Sequence, residues 1–132
     1  MTTYFWVAIG SALGGIARFG CSGLFARLVG ETFPWGTFIV NVAGSFIIGF
    51  FASLTGPDGR YMLGSVPRQF VMAGFCGGFT TFSSFSLQTL NLMNDGEWLR
   101  ASANIGGSVF CCLVAVWAGH LLAVSINSMK WV

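Results

Sequence analysis

Residues 77–86 read GGFTTFSSFS and lie inside a long apolar run of the chain. Five of these ten residues are Ser or Thr and two are Gly, whereas an ordinary membrane helix is filled with Leu, Ile and Val. Paired glycines weaken a helix. Where a membrane span breaks, the carbonyls that lose their N–H partners must find other ones. The segment is therefore a poor filler for an ordinary membrane helix, and its glycine pair would weaken the span.

The composition around this segment agrees with a membrane protein. The chain has 132 residues, of which 55% are hydrophobic and 8% are charged. A soluble domain has about 25% charged residues, so these charges are too few to cover a water-exposed surface. The net charge of +2 gives no basis for a nucleic-acid partner.

Four apolar runs are separated by short polar connections, and a bilayer-spanning helix takes about 20 residues. The runs cover approximately residues 4–28, 35–55, 66–93 and 98–126. The first run follows no basic segment, so we interpret it as a retained helix and not as a signal peptide. Pro34, Pro57 and Pro67 fall at run boundaries, where a missing N–H costs least. We predict an all-α membrane protein with a single domain of four transmembrane helices.

Charged groups are almost absent from the runs. All four acidic residues lie in connections, at Glu31, Asp58, Asp95 and Glu97. Arg18 lies midway along the first run, and an intramembrane charge is by default a candidate functional residue. The alternative is that Arg18 reaches a lipid headgroup or pairs with a backbone carbonyl.

The distribution of basic residues barely specifies an orientation. Four spans place Arg60, Arg68 and Lys130 on one side and Arg27 and Arg100 on the other. A Lys/Arg excess normally sets topology, and three against two is almost none. Insertion in both orientations would make an antiparallel homodimer possible.

A shift of 63 positions aligns the chain with itself. NVAGS at 41–45 then falls on NIGGS at 104–108, and the glycine pair at 14–15 falls on the pair at 77–78. Internal repeats are common in transporters, with binding sites at the repeat interface. Coincidence in a chain with 19 Gly is the alternative. The duplication would make Asn41 and Asn104 equivalent.

Uncharged hydrogen-bonding groups recur at helical spacing within the runs. Thr37, Asn41 and Ser45 are four residues apart, as are Asn104 and Ser108. One interpretation is close helix packing with interhelical hydrogen bonds. That interpretation suits the glycines at 10 and 14 but leaves the phenylalanines unexplained.

Phe79, Phe82 and Phe85 recur every third residue, which predicts a stripe along one side of a helix. An aromatic ring has a positive edge that attracts an anion. Amide and hydroxyl groups donate hydrogen bonds to anions. A pore lined by such neutral groups would bind an ion without trapping it. Core or lipid-facing packing is the alternative for any single Phe.

Other chemistry has little support in the sequence. His120 is the only histidine, and we interpret it as an interfacial or packed residue. Four cysteines, interpreted as small buried thiols, show no zinc-like spacing; they are Cys21, Cys76, Cys111 and Cys112. We therefore predict no enzyme. Carbonyls freed near Gly77 and Thr80 are suited to a small cation such as Na⁺, with tight helix packing as the alternative.

These segments resemble the Fluc/CrcB family of fluoride channels. The matching segments are GSALGGIARFG, WGTFIVNVAGSFIIG, GFCGGFTTFSSFS and NIGGS. They fall in all four runs, in the family's order. The resemblance implies a third transmembrane helix that is broken near its centre. It also implies a dual-topology, antiparallel homodimer in the bacterial inner membrane. Its two pores would passively export fluoride and relieve its toxicity.

The resemblance also implies roles for particular residues. The carbonyls of Gly77 and Thr80 would hold a structural Na⁺ that is not transported. Arg18 would lie near the vestibule. The fluoride pore would be formed by Asn41, Phe82, Phe85, Ser108, Thr37, Thr81 and Ser84. Many relatives carry Glu where this chain has Gln88, which leaves conduction and pH response open.

Two other functions remain as alternatives at the level of sequence. A proton-coupled exporter of small drugs can also be a four-span antiparallel dimer, but it needs a titratable carboxylate within a span. A structural subunit would need only the packing glycines and serines, and would not require Asn and Phe to converge on one path.

Overall fold

The computed structural model describes residues 1–129, and the regular elements in this range are all helices. They are α1 (Thr2–Val29), α2 (Trp35–Leu54), α3 (Ser65–Gln69), a π-helical segment (Phe70–Cys76), α4 (Gly77–Phe79), α5 (Phe82–Asn94) and α6 (Trp98–Ser128). Four helices are long and apolar enough to cross a membrane: α1, α2, α6 and the composite third span, Ser65–Asn94. Each predicted span end agrees with the structure to within one helical turn. Lys130, used in the charge comparison, lies outside the described residues.

The break in the third span lies at Thr80 and Thr81. Both residues are extended, with ψ of 158° and 114°, and they separate α4 from α5. Gly77 and Gly78, which the sequence predicts to be part of the break, are instead helical. The interrupted span is confirmed, but the two glycines do not make the interruption.

The glycines permit close helix packing. A Cβ at Gly78 would collide with the carbonyl oxygen of Ser11 in α1, and a Cβ at Gly14 would collide with that of Phe75. The backbones of α1 and the third span therefore approach more closely than side chains would allow. The packing interpretation of Gly10 and Gly14 is confirmed, since both are buried against this span.

Two helix pairs make up most of the fold. α1 packs against the π-helical segment and α4, and α2 packs along α6. In the second pair, a Cβ at Gly49 would collide with the Val116 carbonyl, and one at Gly119 with the Phe46 carbonyl. The spans related by the 63-residue shift are thus packing neighbours, although the duplication itself stays a prediction. α5 packs mainly against α6.

Basic residues close the end of the bundle beside the connection of residues 55–64. The Arg68 side chain donates to Thr55 Oγ1 at 3.3 Å, and Arg60 Nη1 donates to the Ile126 carbonyl at 2.9 Å. Cations are favourable near helix C-termini, where carbonyls lack intrahelical donors. These contacts fix the connection to the ends of α2 and α6.

Candidate ion pathway at the break of the third span

Asn41 holds the break open through two hydrogen bonds. Its Oδ1 accepts from the Thr81 backbone N–H at 2.7 Å, and its Nδ2 donates to the Thr81 carbonyl at 3.1 Å. In a continuous helix the Thr81 N–H would donate to the Gly77 carbonyl, four residues back. The amide on α2 therefore replaces the helical partner at the break.

α5 begins immediately after this contact. Thr81 is its N-cap, and Thr81 Oγ1 accepts from the Ser84 backbone N–H at 3.2 Å. The same hydroxyl donates to Ser84 Oγ at 3.1 Å. Threonine is a favoured N-cap because its side chain satisfies an N–H that lacks an intrahelical acceptor. The hydroxyl-rich segment therefore supplies the N-cap of a helix that begins inside the span.

A cavity of about 350 Å³ opens beside the break, between α2, the third span and α6. It brings together seven predicted residues: Asn41, Gly77, Thr80, Thr81, Phe82, Phe85 and Ser108. Every residue that lines it is uncharged. The cavity therefore offers amide, hydroxyl and aromatic groups to an ion without a fixed counter-charge.

The phenylalanines do not form one stripe. Phe79 belongs to α4, is only 8% exposed and stacks on Phe75, with ring centroids 5.7 Å apart. Phe82 and Phe85 belong to α5, with centroids 5.3 Å apart and planes at 46°. The prediction of a three-residue stripe is wrong because the break rotates α5 away from α4. Phe79 is a packing residue, and the Phe82 ring is 77% exposed.

A second cavity, of about 660 Å³, lies on the other side of Thr81. It is lined by the remaining predicted residues Arg18, Thr37 and Ser84, together with Gln88. Arg18 is half-buried and makes no hydrogen bond or ion pair within residues 1–129, so pairing with a backbone carbonyl is not observed. Gln88 Oε1 is buried and lacks a hydrogen-bond partner in the same range. The second cavity is therefore bordered by a cation without an ionic partner, and a buried acceptor without a hydrogen-bond partner belongs to a residue of its lining.

Ser108 lines the first cavity, but its hydroxyl donates to Asn104 Oδ1 at 3.2 Å. Asn104 is 1% exposed, and its Nδ2 donates to Thr89 Oγ1 at 2.9 Å. Thr89 was not among the residues predicted from the sequence. Its spacing of four from Phe85 was the available signal, since threonine hydroxyls often donate to the carbonyl four residues back.

Cys76 and Cys112 also line the first cavity. The prediction of four buried thiols is correct for Cys76 only, since the other three are half-buried. Cys112 follows Ser108 by four residues, so the two share a helix face. This spacing was the signal that could have predicted Cys112 in the cavity lining.

The break also leaves backbone carbonyls without their helical donors. The Thr81 N–H is diverted to Asn41, which removes the helical donor of the Gly77 carbonyl, and the extended Thr80 also lines the cavity. Neutral oxygens suit Na⁺ in unwound membrane helices. Within the described residues there is no group of three His, Cys, Asp or Glu side chains that would favour a transition metal.

His120 lies near the other end of α6, away from the break. Its Nδ1 is 2.7 Å from Ser53 Oγ on α2. This interhelical contact agrees with the interpretation of His120 as a packed or interfacial residue. Within the described chain, the four acidic residues all lie outside the spans.

The fold and this site define a multi-span membrane protein with an uncharged, hydrogen-bonding cavity at a helix break. Residues 5–120 match the family model of the CrcB-like protein, camphor resistance (CrcB). The fluoride-specific ion channel FluC of Opitutus terrae is 62% identical over 130 residues, which cover 98% of each chain. The proteins of the same name from Methylocella silvestris and Rhodospirillum rubrum are 63% identical over 127 residues and 56% identical over 125 residues. These matches cover 96% and 95% of this chain and 97% of each relative. The chain belongs to the CrcB family.

Proposed function

We propose that this protein is a fluoride-selective channel that lets fluoride leave the cell passively. The observation that carries the proposal is the meeting of Asn41, Phe82, Phe85 and Ser108 in one uncharged cavity at the break. The names of the relatives, which are fluoride-specific ion channels, support it. A proton-coupled exporter is disfavoured because no described span carries a carboxylate.

The cationic, hydrogen-bonding and aromatic residues have different roles in conduction. Arg18 is the cationic group of the wide second cavity and attracts anions toward Thr37 and Ser84. Donor groups at the break replace part of the ion's hydration shell, and the ring edges of Phe82 and Phe85 stabilise the anion along the first cavity. Neutral partners hold the ion weakly enough for it to leave.

The proposal includes an antiparallel homodimer with dual topology in the bacterial inner membrane. The Phe82 ring is 77% exposed beside a cavity that is open to the surroundings of the single chain. A second copy would cover this ring and complete the wall of each of two pores. The nearly balanced Arg and Lys residues support insertion in both orientations.

A structural Na⁺ at the break is part of the same proposal. The carbonyls of Gly77 and Thr80 would hold it, because the helical donor of the Gly77 carbonyl is diverted to Asn41. When bound, the ion supplies a positive charge that holds unwound backbone in place. The residues of this chain position those carbonyls and keep the unwound segment from returning to a helix.

Fluoride release from liposomes tests the function. Purified protein is reconstituted in vesicles loaded with fluoride in sodium buffer, and release is followed with a fluoride electrode. We expect rapid release of fluoride and little release of chloride from matched vesicles. Release no faster than from protein-free vesicles would refute the channel.

The accessibility of a C-terminal tag tests the topology. A tag should be labelled from both sides of the membrane in a dual-topology protein. Labelling from one side only would contradict this part of the proposal without affecting the fluoride assay.

A further inference from the structure

We propose that Asn104 is a positioning residue that fixes α5, and with it Phe85, through the hydroxyl of Thr89. The inference rests on the proposed function for its meaning in conduction. It concerns a residue that lies behind the pathway and that need not touch the ion.

The contact is a chain of three hydrogen bonds between α6 and α5. Ser108 Oγ donates to Asn104 Oδ1 at 3.2 Å, and Asn104 Nδ2 donates to Thr89 Oγ1 at 2.9 Å. Thr89 Oγ1 in turn donates to the Phe85 carbonyl at 2.7 Å. Both the oxygen and the nitrogen of the Asn104 amide are therefore engaged, which favours a single orientation of the side chain.

Burial restricts the side chains in this chain of hydrogen bonds to one arrangement. Asn104 is 1% exposed, and Thr89 and Ser108 are each 6% exposed. A buried amide that loses its partner pays the desolvation cost without compensation, so the arrangement resists rotation. Within the described residues, Asn104 to Thr89 is the side-chain hydrogen bond that joins α5 to α6.

α5 needs such a support because it has few others. Its start is held by Asn41 of α2 through Thr81, and it otherwise packs mainly against α6. Asn104 holds α5 at Thr89, about two helical turns after Thr81. A rigid helix held at two points cannot rotate, and Phe85 lies between the points.

The effect on Phe85 is specific to Thr89. A threonine hydroxyl that donates to the carbonyl four residues back alters the local bend of a helix. Asn104 keeps that hydroxyl in place by donating to it. The direction in which the Phe85 ring enters the cavity therefore depends on a residue of another span.

Thr89 variants test the inference in the vesicle assay. Thr89→Val keeps the shape and removes the hydroxyl, and we expect fluoride release to slow by about threefold to twentyfold, the range of interhelical hydrogen bonds in membranes. Thr89→Ser should restore release to near wild type. Ser86→Ala is the matched control, since Ser86 donates in the same way to the Phe82 carbonyl but its side chain makes no hydrogen bond to another helix within the described residues. Equal release by Thr89→Val and wild type would overturn the role in conduction.

A double-variant comparison separates this role from general destabilisation. If Thr89 and Asn104 act as one unit, Asn104→Leu combined with Thr89→Val should release fluoride at the rate of the slower single variant. Effects that multiply would mean that the two residues act independently and would overturn the inference.

Hydrogen exchange tests the positioning without using fluoride. The backbone amides of α5 should exchange faster in Thr89→Val and Asn104→Leu than in wild type, while those of α2 stay unchanged. Unchanged exchange in α5 would refute the inference whatever the flux. If wild-type vesicles release no fluoride, the channel proposal fails, and exchange in α5 alone decides whether Asn104 positions this helix.

Discussion

Replacement of Asn41 by Leu should close the break in the third span. The two side chains are similar in size, but leucine offers no partner to the Thr81 N–H and carbonyl, which Asn41 binds at 2.7 Å and 3.1 Å. The nearest substitute for the N–H is the Gly77 carbonyl, four residues back along the chain. Reaching it requires Thr80 and Thr81 to adopt helical dihedrals, which would turn α5 and move Phe82.

The size of the effect follows from the two hydrogen bonds. Interhelical hydrogen bonds in membrane bundles contribute about 0.6–1.7 kcal/mol each, so two contribute about 1–3 kcal/mol. A free-energy change of that size shifts an equilibrium by about 5- to 150-fold. We expect the free energy of unfolding in detergent to fall by this amount, and fluoride release to slow by a factor in this range.

Three measurements check the prediction for Asn41. Denaturation in mixed detergent gives the free energy of unfolding, vesicle efflux gives conduction, and hydrogen exchange reports the Thr81 amide. Ser45→Ala is the control for stability, since Ser45 lines the same cavity but its side chain makes no hydrogen bond within the described residues. Wild-type stability and wild-type efflux in Asn41→Leu would refute the assignment of Asn41 as the support of the break.

Three further predictions concern the pore, the packing and the cation. Phe82→Ile removes the ring edge at an exposed position, so fluoride efflux should fall while chemical crosslinking still detects the proposed dimer; unchanged efflux would make Phe82 a packing residue. Gly14→Ala places a methyl group against the backbone of Phe75 and should lower the free energy of unfolding by about 1–3 kcal/mol, as overpacking does. Gly15→Ala meets no atom within 4 Å and should be neutral, and equal melting temperatures for the two variants would contradict this packing. Replacement of Na⁺ by a large organic cation should reduce efflux and thermal stability together if the carbonyls of Gly77 and Thr80 hold Na⁺, and no change in either would count against that site.

The third span separates what the sequence could predict from what it could not. Its existence and length follow from the apolar run of residues 66–93, and its interruption is implied by the resemblance of GGFTTFSSFS to the CrcB family. The position of the break does not follow, because glycine serves equally well for a break and for close packing. Contact with Ser11 makes Gly78 a packing residue. The Asn41 amide on another helix places the break at Thr81.

The candidate site shows the same division. The spacing of four residues predicted that Asn41 shares a helix face with Thr37, and that Asn104 shares one with Ser108. The pairing of Asn104 with Thr89, and the separation of Phe79 from Phe82, depend on how one helix is rotated against another.

The sequence by itself determined the class of protein and its four spans, because hydrocarbon excludes charge and requires about 20 apolar residues per crossing. It also determined which chemical groups the spans contain: uncharged donors, aromatic rings and one arginine midway along the first span. Only the tertiary structure decided which of these groups meet. Hydrogen bonds between residues 40 or 15 positions apart depend on helix packing, and the periodicity of a single helix carries no information about its neighbour.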